Sequence, residues 1–260
     1  MSRDIIAAVG AGRMGRGIAV AFAFAGHEVR LLDLKPRSAD EAERVAQAAR
    51  DEIRDTLQLL AGLGLLEHAD VADVAARVSL FAEPDAKRAL QGAKVIFEGV
   101  PETLEAKEAC FARISQIASD DAIVASTTST ILSDDLQCFV TKPERFLNAH
   151  WLNPAFLVPL VELSPGAKTA PDTTDRLKAL LEGIGKVPVV CAASPGYIVP
   201  RIQALAMNEA ARMVEEGVAS AEDIDKATKY GIGFRFSVLG LLEFIDWGGG
   251  DILYLSLIHI

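Results

Sequence analysis

His150 and Glu162 are the residues of this chain whose types and spacing best suit proton transfer. His150 lies in Leu147–Asn148–Ala149–His150–Trp151–Leu152–Asn153–Pro154, and Glu162 in Val158–Pro159–Leu160–Val161–Glu162–Leu163. An imidazole titrates near neutrality, so it can take a hydroxyl proton while a carbonyl forms. A carboxylate on the other ring nitrogen fixes the tautomer and stabilises the imidazolium. Both residues sit on apolar segments separated by Asn153-Pro154, so a chain reversal can bring them together. A lone acid in an apolar strand also needs a partner. The duller alternative is a buried histidine with one hydrogen bond and a surface glutamate. His27, at a turn before a strand, and His68, between helices, read that way; His259 lies in the last few residues.

A second constellation opens the chain. Gly10-Ala-Gly12-Arg-Met14-Gly15 directly follows the apolar run Ile5–Val9. In G-x-G-x-x-G the first glycine makes the tight turn, the second admits a pyrophosphate to the backbone, and the third lets helix pack on strand. The following helix N-terminus offers N–H groups and a positive dipole end. Asp33 ends the next apolar run, Val29–Leu32. A carboxylate there accepts hydrogen bonds from a ribose 2′-OH and repels a 2′-phosphate, which favours NAD over NADP. Lys35 and Arg37 close by weaken that preference. Together the two constellations point to hydride transfer to or from a nicotinamide, with an imidazole handling the proton.

The bulk numbers agree with that chemistry. The chain has 260 residues, 50% hydrophobic and 24% charged, enough for one large or two modest domains. The net charge of -10 and pI of about 5.0 oppose binding to nucleic acid or an anionic membrane. Cys110, Cys138 and Cys191 are far apart and odd in number, with neither metal-ligand spacing nor a disulfide framework. A reducing cytoplasm is the expected location and no metal is expected. No segment is apolar for long enough to span a bilayer, and the early Arg3 with its short apolar run reads as a first strand rather than a signal peptide. Leu255–Ile260 back-translates into a common sequencing-adapter end and is expected to be a non-native tail, with the natural chain continuing.

The elements that must position these residues follow from periodicity. Strand, turn, helix to Phe24 and strand make a βαβ unit. Ser38-Ala-Asp-Glu41 is a capping box, and Val45, Ala49, Ile53, Leu57 and Leu60 form one apolar stripe until Gly62 and Gly64. A shorter helix is expected at 71–76. Apolar runs at 95–97, 123–125, 146–149, 157–163 and 187–190 read as strands, with helices at 104–117 and 173–181. This alternation argues for an α/β sheet with helices on both faces, parallel at least in its first part. After Ser194-Pro195-Gly196 the chain turns helical, at 198–214 and at 221–229 after a cap at Ser220. The expected domains are 1–192, 193–254 (helical, for dimerisation and substrate, and expected to be incomplete) and the non-native tail 255–260. Gly248-Gly249-Gly250 reads as a flexible turn without chemistry.

The ordered motifs resemble the 3-hydroxyacyl-CoA dehydrogenases. They are Gly10-x-Gly-Arg-Met-Gly-x-Gly17, Asp33, Glu98-x-x-x-Glu102-x-x-x-x-Lys107, Ser126-Thr-Thr-Ser129, His150-x-x-Asn153-Pro, Leu160-Val-Glu162 and Ser194-Pro-Gly196. They cover the chain from Ile5 to about Asp246. The resemblance implies a Rossmann-like NAD-binding domain with a helical hairpin inserted after the second strand, followed by an all-α C-terminal domain that dimerises. It implies His150 as general base, Glu162 as its orienting partner, and Ser129 as hydrogen-bond partner of the substrate's 3-oxygen. Gly10, Gly12, Met14, Gly15, Asp33, Glu102, Lys107 and Asn153 would bind NAD. The implied reaction is oxidation of an (S)-3-hydroxyacyl thioester, as in fatty-acid β-oxidation. Read without the resemblance, Ser129 is part of a turn, and Glu102 with Lys107 a surface pair at poor spacing.

Three departures bear on the substrate. Pro200 stands where the family has an asparagine, Thr127 stands where it has another, and residues 38–86 contain no lysine, although this region of CoA-using relatives often bears lysines that meet the CoA phosphates. Arg44, Arg50 and Arg54 are possible substitutes, but Asp51, Glu52 and Asp55 surround them. Phe156–Leu163 and Leu163-Ser-Pro-x-x-Lys-Thr-Ala-Pro also resemble the branch with gulonate dehydrogenase and a lens crystallin. The substrate is therefore expected to be an acyl-CoA or, alternatively, a free small 3-hydroxy acid; a non-catalytic dinucleotide binder is the reading from another class.

Overall fold

The computed structural model describes residues Asp4–His259. Arg3 and Ile260, on which the readings of the first and last residues partly fall, lie outside them. The chain divides into two compact units, Met1–Pro200 and Arg201–Ile260.

The first unit is an eight-stranded sheet. Its strands are β1 (Ile5–Val9), β2 (Glu28–Asp33), β3 (Val78–Ala82), β4 (Val95–Glu98), β5 (Ile123–Ser126), β6 (Phe146–Trp151), β7 (Leu160–Pro165) and β8 (Val187–Val190), in the order 3-2-1-4-5-6-7-8. From β3 to β6 every neighbour is parallel; β6 and β7 are antiparallel, and β7 and β8 parallel. Inner strands covered on both faces read as continuous apolar runs, here Ile-Ile-Ala-Ala-Val and the Val-Ile-Phe that precedes Glu98. One core lies between the sheet and helices α1 (Arg13–Phe24) and α2 (Ala39–Gly62), around Ile18, Phe22, Leu31 and Leu57. The other is centred on Phe111, Phe146 and Leu136.

The inserted hairpin is α2 followed by the short α3 (Val71–Ala75). Ser38 and Glu41 cap α2 reciprocally, and Ala49, Ile53, Leu57 and Leu60 form its buried face. The remaining helices of this unit are α4 (Ala86–Leu90), α5 (Leu104–Ile117), α6 (Ser133–Leu136) and α7 (Pro171–Gly183). The strand expected at 157–163 begins only at Leu160. Leu157 and Val158 N–H groups instead turn back onto the Pro154 carbonyl, and the buried Lys186 ammonium donates to the Ala155 and Val158 carbonyls at 2.7 and 2.8 Å.

The second unit is helical. α8 (Val199–Glu215) runs into it and is followed by α9 (Ala221–Ala227), a π-helical turn at Thr228–Gly233, α10 (Phe234–Phe236), α11 (Leu241–Gly248) and α12 (Gly250–His259). Ser220 caps α9 through the Asp223 N–H, as its position predicts. Gly249, at φ +90°, joins the last two helices. Residues 255–259 continue α12. No helix among the described residues is long and apolar enough to cross a membrane.

Candidate active site

Because β1, β2, β4, β5 and β6 are parallel, their C-terminal ends meet at one edge of the sheet. Ligands of open α/β sheets bind outside this edge. Gly10, Asp33, Glu98, Ser126 and His150 all sit at it.

Gly10 follows β1 at φ +108°, and a Cβ there would stand 2.5 Å from the Gly99 carbonyl oxygen. Gly15 packs against the Gly10 carbonyl and Leu31, so it too has no room for a side chain. Gly12 differs: nothing lies within 4 Å of where its Cβ would be. It is the N-cap of α1, has no side-chain cap and no acid in the following turn, and so leaves N–H groups and a positive dipole end open to an anion. Met14 packs, partly buried, against the core beside it. A cavity of about 510 Å³ adjoins this loop, lined by Ala11, Asp33, Lys35, Arg37 and Arg50 among others. The residues present fit a dinucleotide. Asp33 does not stand alone: Arg37 Nε pairs with its Oδ2 at 2.5 Å and the Lys35 N–H donates to Oδ1 at 3.2 Å.

The second part of the edge is a charge network. Glu98 ends β4 fully buried, and accepts from Lys107 Nζ at 3.0 and 3.1 Å, Ser126 Oγ at 2.6 Å and the Val100 N–H at 2.8 Å. Lys107 also pairs with Glu102 Oε2 at 3.2 Å. Glu102 Oε1 accepts from the Thr128 hydroxyl, the Ser129 and Thr130 N–H groups at 3.0 and 3.1 Å, and the Thr130 hydroxyl. Burial opposes the charge on Glu102, but the Thr128 hydrogen bond, Lys107 and Thr130 outweigh it and bring its pKa from 4.5 to about 2. Glu102 and Lys107 do pair, but not as two surface residues. Glu102 is exposed, whereas Lys107 is enclosed and reaches the open side only through Glu102. Ser129 is exposed, and its hydroxyl has no partner among the described residues.

The histidine and its acid come together as the spacing suggests. His150 on β6 and Glu162 on β7 are direct cross-strand partners, with Nδ1 and Oε2 2.8 Å apart. The pair is buried, with side chains 5% and 0% exposed. Glu162 Oε1 accepts from the Ile198 and Val199 N–H groups at 2.9 and 2.8 Å. The acid is therefore held from both sides and can fix Nδ1 as the protonated nitrogen. His150 Nε2 makes no hydrogen bond among the described residues. Asn153 lies exposed just beyond β6, beside Arg16 and Gly17 of α1.

Sequence reasoning gave no role to Glu98, although it opens one of the motifs, nor to Asn148 or Tyr197. Glu98 has a visible signal, a charged residue closing an otherwise apolar strand. Tyr197 has none, because its place depends on backbone geometry. Pro200 falls in the first turn of α8, where the lack of an N–H is harmless. Thr127 is buried, its N–H donating to the Glu98 carbonyl.

A Rossmann-like sheet with an open glycine loop after its first strand and an acid closing its second is the architecture of an NAD-dependent oxidoreductase. The family models for the 3-hydroxyacyl-CoA dehydrogenase NAD-binding domain and C-terminal domain match residues 5–194 and 196–257, and the chain belongs to this family. It is 33% identical over 251 residues to the 5-formyl-3-hydroxy-2-methylpyridine 4-carboxylate 5-dehydrogenase of Mesorhizobium japonicum, covering 95% of this chain and 76% of that one. It is 37% identical over 240 residues to the lambda-crystallin homolog of Bos taurus, covering 92% and 72%. The crystal structure of (S)-3-hydroxybutyryl-CoA dehydrogenase from Ralstonia eutropha matches with a TM-score of 0.77 at 31% identity, covering 89% and 78%.

Proposed function

We propose that the chain oxidises the 3-hydroxyl of an (S)-3-hydroxyacyl-CoA to the ketone, reversibly, with His150 as general base. The observation that carries this reading is the buried Nδ1–Oε2 contact of 2.8 Å at the C-terminal edge of the sheet. Bound NAD supplies the hydride acceptor. His150 Nε2 takes the hydroxyl proton as the C3 hydride leaves, and Glu162 stabilises the resulting imidazolium. Ser129 donates to the 3-oxygen. The α1 N-terminus and Asp33 bind the pyrophosphate and adenosine ribose. Glu102 and Asn153 line the cofactor, with Lys107 acting through Glu102.

A free hydroxy acid is the second reading, and one observation favours it. Arg50 pairs with Glu43, and Arg54 sits 4.0 Å from Asp51, so these hairpin cations already have acids beside them. The pyridine-carboxylate dehydrogenase relative, named for a substrate without CoA, points the same way. Assays with acetoacetyl-CoA and NADH, and with free 3-hydroxy acids and NAD, separate the two. A large kcat/KM for the thioester alone supports the first reading; turnover of the free acid alone replaces it with the second. His150→Gln should lose roughly 10²–10⁴-fold in rate with NAD affinity kept. Unchanged turnover removes the mechanism, and a parent chain that binds NAD but turns over neither class is a binder only.

The reading includes a cytoplasmic homodimer formed through the second unit. That unit exposes Leu205, Tyr230, Phe234, Leu242 and Trp247, each more than two-thirds accessible. A monomer by light scattering would refute it.

A further inference from the structure

The chemistry above leaves Tyr197 without a task. It lies between β8 and α8, directly after Gly196 (φ +78°), and its own φ is +46°, a left-handed conformation that non-glycine residues adopt rarely. Such a conformation persists where the surroundings over-determine it, and here they do. The ring is nearly flat on the His150 imidazole, with centroids 4.8 Å apart and planes 6° apart. The hydroxyl donates to the Thr128 carbonyl at 2.9 Å and accepts from Asn148 Nδ2 at 3.0 Å. Burial raises the pKa of this hydroxyl, so it remains a donor. The next two N–H groups in the chain are those that hold Glu162. One short segment therefore touches the imidazole, the acid behind it and the backbone that leads to Ser129.

A single hydrogen bond at Nδ1 fixes one point of an imidazole and leaves its plane free to tilt about that bond. Tilt re-aims Nε2, the atom that meets the substrate. A flat face contact removes that freedom. We propose that Tyr197 is a positioning residue: its ring sets the plane of His150, and its hydroxyl ties the Thr128–Ser129 backbone to that plane, so the base and the Ser129 hydroxyl keep one spacing. This rests on the reading of His150 as the base.

The test compares Tyr197→Phe, Tyr197→Leu and His150→Gln with the parent, using acetoacetyl-CoA and NADH or, if only the free acid turns over, that acid and NAD. Rates are referred to cofactor-binding sites counted by fluorescence titration. Tyr197→Leu should lower kcat about 10–100-fold, because a misplacement of roughly 1 Å costs on that order. Its KM for the cofactor should stay within about threefold of the parent. Tyr197→Phe keeps the ring and should restore kcat to within about threefold of the parent, with a raised KM for the acyl substrate from the untied Ser129 backbone. A purely structural role would lower the melting temperature and the number of sites while leaving kcat per site unchanged. That result overturns the proposal, as does a Phe variant as slow as the Leu variant. If the Leu variant does not fold, Tyr197→Met is held to the same criterion. An active His150→Gln would refute the base itself; an inactive His150→Gln beside a fully active Tyr197→Leu would refute only the role of Tyr197.

Discussion

Lys107→Met tests whether the network at the ends of β4 and β5 is a folding element as well as a wall of the site. Methionine keeps the length and apolar body of the side chain and removes the charge. In the parent, Lys107 Nζ lies 3.0 and 3.1 Å from the two Glu98 oxygens, with side-chain exposures of 1% and 0%. Breaking one partner from a buried pair costs about 3–5 kcal/mol, mostly because the other charge is left buried alone. Glu98 keeps two donors, Ser126 and the Val100 N–H, so the lower half of that range applies, about 3–4 kcal/mol. For a unit of this size each kcal/mol moves the melting temperature by roughly 2–4 °C, so the variant should melt about 6–16 °C below the parent without added cofactor. The double variant Glu98→Gln/Lys107→Met removes the stranded charge; the amide oxygen can still accept from the Val100 N–H, and the amide NH2 then faces the Ser126 hydroxyl, which can accept from it. It should recover about half of the loss, although removing a second group from an independent contact would lower stability further. Thermal unfolding followed by circular dichroism reads both. A single variant melting within about 2 °C of the parent, or a double variant melting below the single, refutes the account.

Glu162→Gln should slow turnover by about 10²–10⁴-fold with cofactor affinity retained, because an amide no longer enforces the tautomer or stabilises the imidazolium; a rate within threefold of the parent would contradict this. Asp33→Ala should weaken NAD more than NADP, measured by isothermal titration; an unaltered protein that already prefers NADP would contradict the role of Asp33. Glu102 has a depressed pKa, so the stability it contributes is complete above its unfolded value of 4.5 and is lost as pH falls through about 2. Thr128→Val should move its titration upward, read by carboxyl NMR, and an unmoved titration would show that the hydroxyl is not a cause.

The βαβ opening and the capped α2 were legible because their signals are local: an apolar run, a glycine loop, a cap and a stripe all lie within a few residues of the backbone they shape. Where the determinant is distant, the sequence is silent. β3 was missed because it is an edge strand, with only Val78 buried, so Val-Ser-Leu-Phe-Ala has neither a continuous run nor a clean alternation. The start of β7 was misread because Leu157 and Val158 are apolar. What makes them a turn is Lys186, 28 residues downstream of Val158, whose ammonium takes carbonyls that a strand would have offered to a neighbour. The stack on His150 is invisible for the same reason, since it depends on two successive left-handed residues.

The twelve-residue spacing of His150 and Glu162, by contrast, carries more information than a motif match. Parallel strands need a crossover of a dozen or more residues, so two mid-strand residues twelve apart can be neighbours only across an antiparallel pair. The one antiparallel pairing in this sheet is where they lie. Directly opposed residues there have Cβ atoms about 4.5–5.5 Å apart, within reach of an imidazole–carboxylate bond. Register then decides the chemistry. Slipping β7 by one residue would bring Val161 or Leu163 opposite His150 and turn Glu162 into the apolar face. Three contacts hold β7 against such a slip independently of its loop: the pairing of Glu162 with Val189 of β8, the Thr169 hydroxyl, which accepts from the Gly166 N–H at 2.8 Å and donates to the Phe146 carbonyl of β6 at 2.6 Å, and the two N–H groups of residues 198 and 199. The dyad geometry is therefore a property of sheet register rather than of the loop that joins the two strands.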